Sequence, residues 1–347
     1  MRNKWLILLL LAIISVFVLA ACGTDDESAG NSDSTSGSGG EAEDDSSDSK
    51  VYKIGATQIV EHPSLDAAYE GFKAAIADAG LEVEYDFQSA QNDQNNTSII
   101  AKNFVADNVD LIFANSTPSA QGALQATKDI PIVFTSVTDA VGTGLVESMD
   151  KPGENITGVV DLHPDAIKNT VDFIDTYYEG AKVGLIYNAG EANSVTQIEA
   201  VNEAVDGTSL STVERTVATS AEVQQAATTL VGEADVLYII TDNTVVSALE
   251  TVIGVANEQD IPLIVGEPNS VEKGGFATYG IDYYTIGYRS GEMAVDILTG
   301  EKKPSEIPVE IPPEMQLFIN KDAAEEQGVK WNPEWDDKAK LLETKKE

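Results

Sequence analysis

VDLIFANSTPSAQGALQATKDIPIVFTS (109–136) and ADVLYIITDNTVVSALETVIGVANEQDIPLIVG (234–266) read alike. Each opens with an apolar strand, turns through small polar residues, continues as a helix with apolar positions three and four apart, and ends in Ile-Pro followed by a second apolar strand. Strand, helix and strand in that order form a βαβ unit, so the two adjoining strands lie parallel with the helix on one face. Outward from this pair the same alternation fills the chain. Further strand candidates lie at 52–60, 81–88, 156–161, 182–189, 211–217 and 275–280, and helical periodicity is plain in SLDAAYEGFKAAIADAG and DAIKNTVDFIDTYY. The openings YKIGATQIVEHPS and KVGLIYNAGEANS form a looser second pair. The fold class read from this is α/β, with two Rossmann-like lobes, each a parallel sheet covered by helices.

The N-terminus differs in kind from this body. Arg2 and Lys4 precede a continuous apolar run from Trp5 to Ala21, which ends in LAAC-G. Residues 1–21 read as an export signal and Cys22 as a lipidated first residue of the mature chain, resembling the lipobox of bacterial lipoproteins. Two or more acyl chains anchor a protein stably where one does not. Cys22 is the sole cysteine, which excludes an internal disulfide, a thiolate metal site and a catalytic thiol. After it, TDDESAGNSDSTSGSGGEAEDDSSDSK (24–50) is too polar and acidic to be buried, and as a flexible coil it reaches roughly 30 Å. Residues 22–50 are thus expected to be an acidic leash. The expected location is extracytoplasmic, at the cell membrane.

The formal charge of −37 leaves nothing to neutralise phosphates and argues against a nucleic-acid partner. Neither GxGxxG nor GxxxxGK[ST] occurs, and there is no GxSxG elbow or HExxH. No cofactor, metal site or catalytic residue is therefore expected, and the protein is read as a binding protein and not an enzyme. His62 and His163 each precede a proline in a loop after a strand; a structural or lid role is the reading for His62.

Ligands of open α/β sheets sit beyond the carboxyl ends of the strands. The loops there are rich in small polar groups: TQIVEHPS, NSTPSAQ, SVTD, VVDLHP, YNAGEANS, TDN, GEPNS and YGIDYY. In their order and spacing, TQIVEHPSLDAAYEGF (57–72), NSTPSAQ (115–121), ENITGVVD (154–161), YNAGEANS (187–194), TDN (241–243) and ATYGIDYYTIGYRSGEMAVDIL (277–298) resemble the ABC-transporter substrate-binding lipoproteins that include the tryptophan and tyrosine binding proteins. The resemblance spans about residues 51–320. It implies the type I periplasmic-binding fold with three crossings between lobes. Lobe one then takes 51–160 plus 282–308, and lobe two takes 161–281 plus 309–347, with Trp331 and Trp335 packed on the second lobe. It also implies an ABC permease with separate ATPase subunits as partner, a monomeric protein, and an aromatic or other apolar amino acid as ligand.

An amino acid needs donors for its carboxylate, acceptors for its ammonium and a pocket for its side chain. Ser116, Thr117 and Ser194, with neighbouring helix N-terminal amides, are the candidates for the carboxylate. Asp161, Asp242, Glu191 or Asp282 are the candidates for the ammonium. Asn115, Asn188 and Asn193 suit either group, while Phe134, Tyr187 and Tyr279 are candidate walls for the side chain. Glu61, Ser136 and Asn243 stand in the same loops and complete the set. The alternatives are a sugar or nucleoside ligand, a sensing lipoprotein, and a secreted α/β enzyme; the lack of tryptophan in the strand-end loops counts against a sugar.

Overall fold

The computed structural model describes residues 50–312 and 314–345. The expected signal, Cys22 and almost all of the acidic leash lie outside the described residues. The first half runs β1 (Val51–Gln58), α1 (Pro63–Asp78), β2 (Glu82–Ser89), α2 (Gln94–Ala106), β3 (Leu111–Asn115), α3 (Thr117–Ala126), β4 (Ile132–Val137) and β5 (Ile156–Val160). The second runs α4 (Ala166–Tyr177), β6 (Lys182–Tyr187), α5 (Ala192–Val205), β7 (Ser211–Thr216), α6 (Val223–Leu230), β8 (Val236–Ile239), α7 (Asn243–Val246), α8 (Leu249–Glu258), β9 (Leu263–Val265), α9 (Pro268–Lys273) and β10 (Ala277–Gly280). The closing part comprises α10 (Tyr283–Leu298), β11 (Gln316–Asn320), α11 (Lys321–Glu326), α12 (Trp335–Lys338) and β12 (Lys340–Leu342).

The strands form two sheets, ordered β2-β1-β3-β4-β5 and β12-β11-β10-β9-β8-β6-β7. The first is wholly parallel. Its inner strands β3 and β4 are buried at every position, which is why LIFAN and IVFTSV read as unbroken runs without alternation. Alternate residues still part to opposite faces: Ile112 and Ala114 join the core beneath α2 and α3, while Leu111 and Phe113 join the core beneath α1 and α10. The second sheet has its own two cores, one on each face, and Trp335 packs into one of them against Phe173, Tyr177 and Phe276.

One pairing departs from the parallel pattern: β11 lies antiparallel to β10. The reason is the route of the chain between them. After β10 it leaves for the first lobe, where α10 packs on α1, β4 and β5. It then runs along β5, with Thr157 Oγ1 donating to the Ile307 carbonyl and Val160 N to the Glu310 carbonyl. Arg289 of α10 clamps Glu310 through two parallel bonds of 2.8 and 2.7 Å. From there the chain re-enters the second sheet from the opposite direction. It therefore crosses between lobes three times: after β5, after β10 and before β11.

The return of α10 depends on small residues. A Cβ at Gly71 of α1 would fall inside contact distance of the Tyr284 carbonyl, one at Gly287 would overlap the Ala68 carbonyl, and one at Gly291 would crowd the Phe72 carbonyl. The two helices thus meet backbone to backbone, and no side chain fits between them. Gly287→Ala is expected to destabilise the domain by at least about 2 kcal/mol, the scale of overpacking in a rigid core. Equilibrium urea unfolding of the domain from Lys50 onward checks this, as a lower midpoint at unchanged slope.

Candidate ligand-binding cleft

The carboxyl ends of both sheets face one narrow cavity, with about 30 Å³ of free space between the lobes. The first lobe contributes Val60, His62, Ser64, Leu65, Ser136 and Thr138; the second contributes Asn193, Thr241, Asp242, Asn243, Val246 and Glu267. Asp161 and Tyr283 line it from two of the crossings, at the ends of β5 and the start of α10. Backbone irregularity places part of this wall. The β4–β5 register shifts after Phe134, and Ser136 there has φ of 55°, a left-handed conformation that costs a non-glycine residue energy and turns the end of β4 toward the cleft.

Three carboxylates line the cavity, and no lysine or arginine does. Two of them are fully occupied. Asp242 accepts from Asn188 N at 2.6 Å and Val245 N at 2.8 Å. Glu267 caps α9 through Asn269 N and Ser270 N and also accepts from the Ser270 and Ser64 hydroxyls. Asp161 differs: Oδ2 accepts from the Tyr283 hydroxyl at 2.8 Å, while buried Oδ1 has no hydrogen-bond partner. Two further buried polar atoms share that condition. Asn193 spends its Nδ2 on the Thr241 carbonyl, which leaves Oδ1 unpaired. His62 caps α1 by accepting from Ser64 N at Nδ1, which puts the proton of a neutral imidazole on Nε2, and Nε2 has no partner. A buried polar atom without a partner costs about 1–3 kcal/mol. Two acceptors and one donor, drawn from both lobes and a crossing, therefore face the same cavity.

Burial sets the protonation of these groups. It lowers the His62 pKa to about 3, with the nearby Lys273 charge adding to the effect, so the ring is neutral. It raises Asp161 to about 6 against the pull of the Tyr283 hydroxyl, its own backbone amide and the Thr138 hydroxyl. It raises Asp242 to about 7, with the neighbouring Glu191 charge as the second cause. Glu267 is likewise pushed up by burial and pulled down by its donors.

The lobes also touch each other directly. Ser64 Oγ donates to Glu267 at 2.5 Å with Asn269 Oδ1 at 3.1 Å, Asn92 Nδ2 donates to Thr244 Oγ1, Gln94 Nε2 to the Gly190 carbonyl, and Gln197 Nε2 to Thr138 Oγ1.

Of the residues singled out from sequence, Ser136, Asp161, Asn193, Asp242 and Asn243 reach the cavity. Asn115 stands behind Ser136, accepting its hydroxyl and donating to the Leu65 carbonyl. Ser194 is buried next to Asn193. Glu191 spends its oxygens on the amides and side chains of Asn243 and Thr244 at the start of α7, and Asn188 bonds Thr244 as well. Ser116 caps α3 with Thr117 in its first turn, and Phe134 lies in the core. Tyr187 donates to Glu214, Tyr279 packs edge-on to Phe173, Asp282 caps α10 from an exposed position, and Glu61 is exposed. The cavity residues not singled out as ligand contacts from sequence are Val60, His62, Ser64, Leu65, Thr138, Thr241, Val246, Glu267 and Tyr283. The signal was present for all but Leu65 and Val246, since they stand in the strand-end loops TQIVEHPS, SVTD, TDN, GEPNS and YGIDYY.

Two α/β lobes closing on one polar cavity define a ligand-capturing binding protein of the type I periplasmic-binding fold. The chain belongs to the ABC transporter substrate-binding proteins, whose family model matches residues 53–340. It is 43% identical over 326 residues to the tyrosine-binding protein of Clostridioides difficile (strain R20291), covering 92% of this chain and 91% of that one. Among solved structures it resembles an ABC domain in complex with L-Trp from Streptococcus pneumonia, at 32% identity and a TM-score of 0.80 over 84% of this chain and 100% of that one. It also resembles the ligand-free, open structure of a substrate-binding protein with adhesive properties from Clostridium difficile, at 41% identity and a TM-score of 0.63 over 85% and 100%. Shape thus ranks the L-Trp complex nearer although sequence ranks it further. Members of this family bind ligands outside the cytoplasm and are not enzymes. Among the described residues no helix is long and apolar enough to cross a membrane.

The sign of the Asp161 shift gives a test that needs no ligand. A carboxyl whose folded pKa lies above its unfolded value binds its proton more tightly when folded, so stability is lost as pH rises from about 4 through about 6. Asp161→Asn is expected to make the fall shallower by up to about 1.4 kcal/mol per pH unit, one proton's worth. Urea unfolding between pH 4 and 8 measures it.

Proposed function

We propose that this protein captures one aromatic amino acid between its lobes and presents it to the permease of an ABC importer. The observation that carries the reading is the unpaired Oδ1 of Asp161, together with the unpaired Oδ1 of Asn193, in a cavity lined by carboxylates and by no lysine or arginine. Two acceptors in an acidic, buried setting suit an ammonium group, because a desolvated cation needs a matched counter-charge. Such a field also disfavours phosphate or sulfate. Val60, Leu65, Val246 and the Tyr283 ring supply apolar wall for a side chain. The names of the relatives, one a tyrosine-binding protein and one a complex with L-Trp, support the aromatic class.

On this reading Cys22 carries the acyl chains and the acidic segment after it tethers the lobes to the outer face of the cell membrane. The ATPase subunits that drive import are separate chains.

Calorimetric titration of the domain from Lys50 with the common amino acids, nucleosides and sugars tests the ligand class. Stabilisation by L-Tyr or L-Trp, and none by sugars or nucleosides, is the expected result. Asp161→Asn, which keeps the shape and removes the charge, is expected to weaken binding at least about 30-fold, the lower end of what breaking a buried charge pair costs. Saturable binding of a sugar in place of any amino acid would overturn the reading. For the anchor, Cys22→Ser in the full chain is expected to move the protein from the membrane fraction to the medium or periplasm, followed by immunoblot.

A further inference from the structure

Two of the bonds between lobes involve no residue of the cavity wall. Asn92 and Gln94 of the first lobe, between the end of β2 and the start of α2, donate to the Thr244 hydroxyl at 3.3 Å and to the Gly190 carbonyl at 3.1 Å on the second. None of the four lines the cavity. The turn that carries the donors is strained: Gln91 and Asn92 follow one another at φ of 54° and 60°, a left-handed conformation that costs non-glycine residues energy. It is held there by Ala90 N donating to the Gln58 carbonyl and Asn92 N to the Ile59 carbonyl, while Asp93 caps α2 directly after it. The backbone of the turn is thus tied to its own lobe, and its carboxamides cross the gap.

The receiving side is equally fixed. Thr244 Oγ1 donates to buried Glu191 at 2.7 Å and accepts from Asn188 Nδ2 at 2.9 Å, and Thr244 N bonds the same Glu191 oxygen. Gly190 N donates to Asn188 Oδ1. A hydroxyl has one proton and two lone pairs, so within the protein the Thr244 set is complete only while Asn92 reaches it from the other lobe.

We propose that Asn92 and Gln94 form a clasp that keeps the lobes shut and sets how long a captured ligand stays, whatever that ligand is. It rests on the reading that an amino acid is enclosed between the lobes. A ligand enters while the lobes are apart and neither bond exists, so the clasp has no hold on the association rate. Release requires both bonds to break, and their loss therefore appears in the dissociation rate. Because the clasp belongs to no residue of the cavity wall, the factor is common to all ligands, whereas a side chain on that wall would alter their ranking.

The test is stopped-flow kinetics of L-tyrosine and L-tryptophan with the domain from Lys50 and with its Asn92→Gly/Gln94→Ala variant. Glycine keeps the left-handed turn, which an alanine would oppose. The variant is expected to release each amino acid about tenfold faster, the scale of two neutral hydrogen bonds, with association unchanged within about twofold. Gln94→Ala alone, at an exposed side chain, is expected to give about threefold and covers the case in which the double variant folds poorly. Release rates that do not change overturn the clasp, as does an acceleration that differs by more than about threefold between the two amino acids. If neither amino acid binds, the ligand reading has failed, and X-ray scattering of the unliganded protein decides on the clasp: a radius of gyration larger in the double variant supports it, and equal radii overturn it.

Discussion

One hydrogen bond joins two of the three places where the chain passes between lobes: the Tyr283 hydroxyl, at the start of α10, donates to Asp161, at the end of β5. Tyr283 is buried and Asp161 half-buried, both line the cleft, and neither belongs to the interior of one lobe alone. The carboxylate at this junction cannot be fully solvated, and its Oδ1 makes no hydrogen bond. The binding site and the joint are therefore built from the same atoms.

Around that junction the acidic groups are handled differently. Glu191, Asp242 and Glu267 each sit at the start of a helix, where free amides and a favourable dipole receive them. They are acids of the scaffold, held by helix-start amides of the second lobe, with Glu267 also accepting from Ser64 of the first, and their oxygens are already engaged. This distinguishes them from Asp161, whose partner set is incomplete. A strongly acidic protein can thus keep several buried carboxylates without instability, provided helix starts take them up.

Most strands were legible because buried parallel strands are continuous apolar runs; the edge strands β2 and β7 are polar and largely exposed, yet all ten candidate segments contain a strand. What escaped was β11 and β12. QLFIN follows a proline-rich passage and is too short for periodicity to speak, and its antiparallel direction depends on a detour of α10 that no local pattern encodes. The cleft was legible as a set of loops and less so as a set of atoms. Glu191 and Asp242 look alike in sequence, each an acid after a strand and before a helix, yet only the second lines the cavity. Ser116 and Asp282 are helix caps, as small polar residues before helices commonly are. His62 gave the opposite difficulty. Its place before Pro63 marks a cap, and it is one; but an imidazole has two nitrogens, and the cap uses only Nδ1.

The glycine contact between α1 and α10 has a mechanical side. With Gly71, Gly287 and Gly291 letting the two backbones touch, there is no layer of side chains to shear, and the pair behaves as a single stiff beam. One end of that beam carries His62 and Ser64 at the start of α1, and alongside them the start of α10 carries Tyr283. A tug on the Tyr283 hydroxyl by way of Asp161 is passed through α10 to α1 with little slack, so a change at the joint moves both helices as one body.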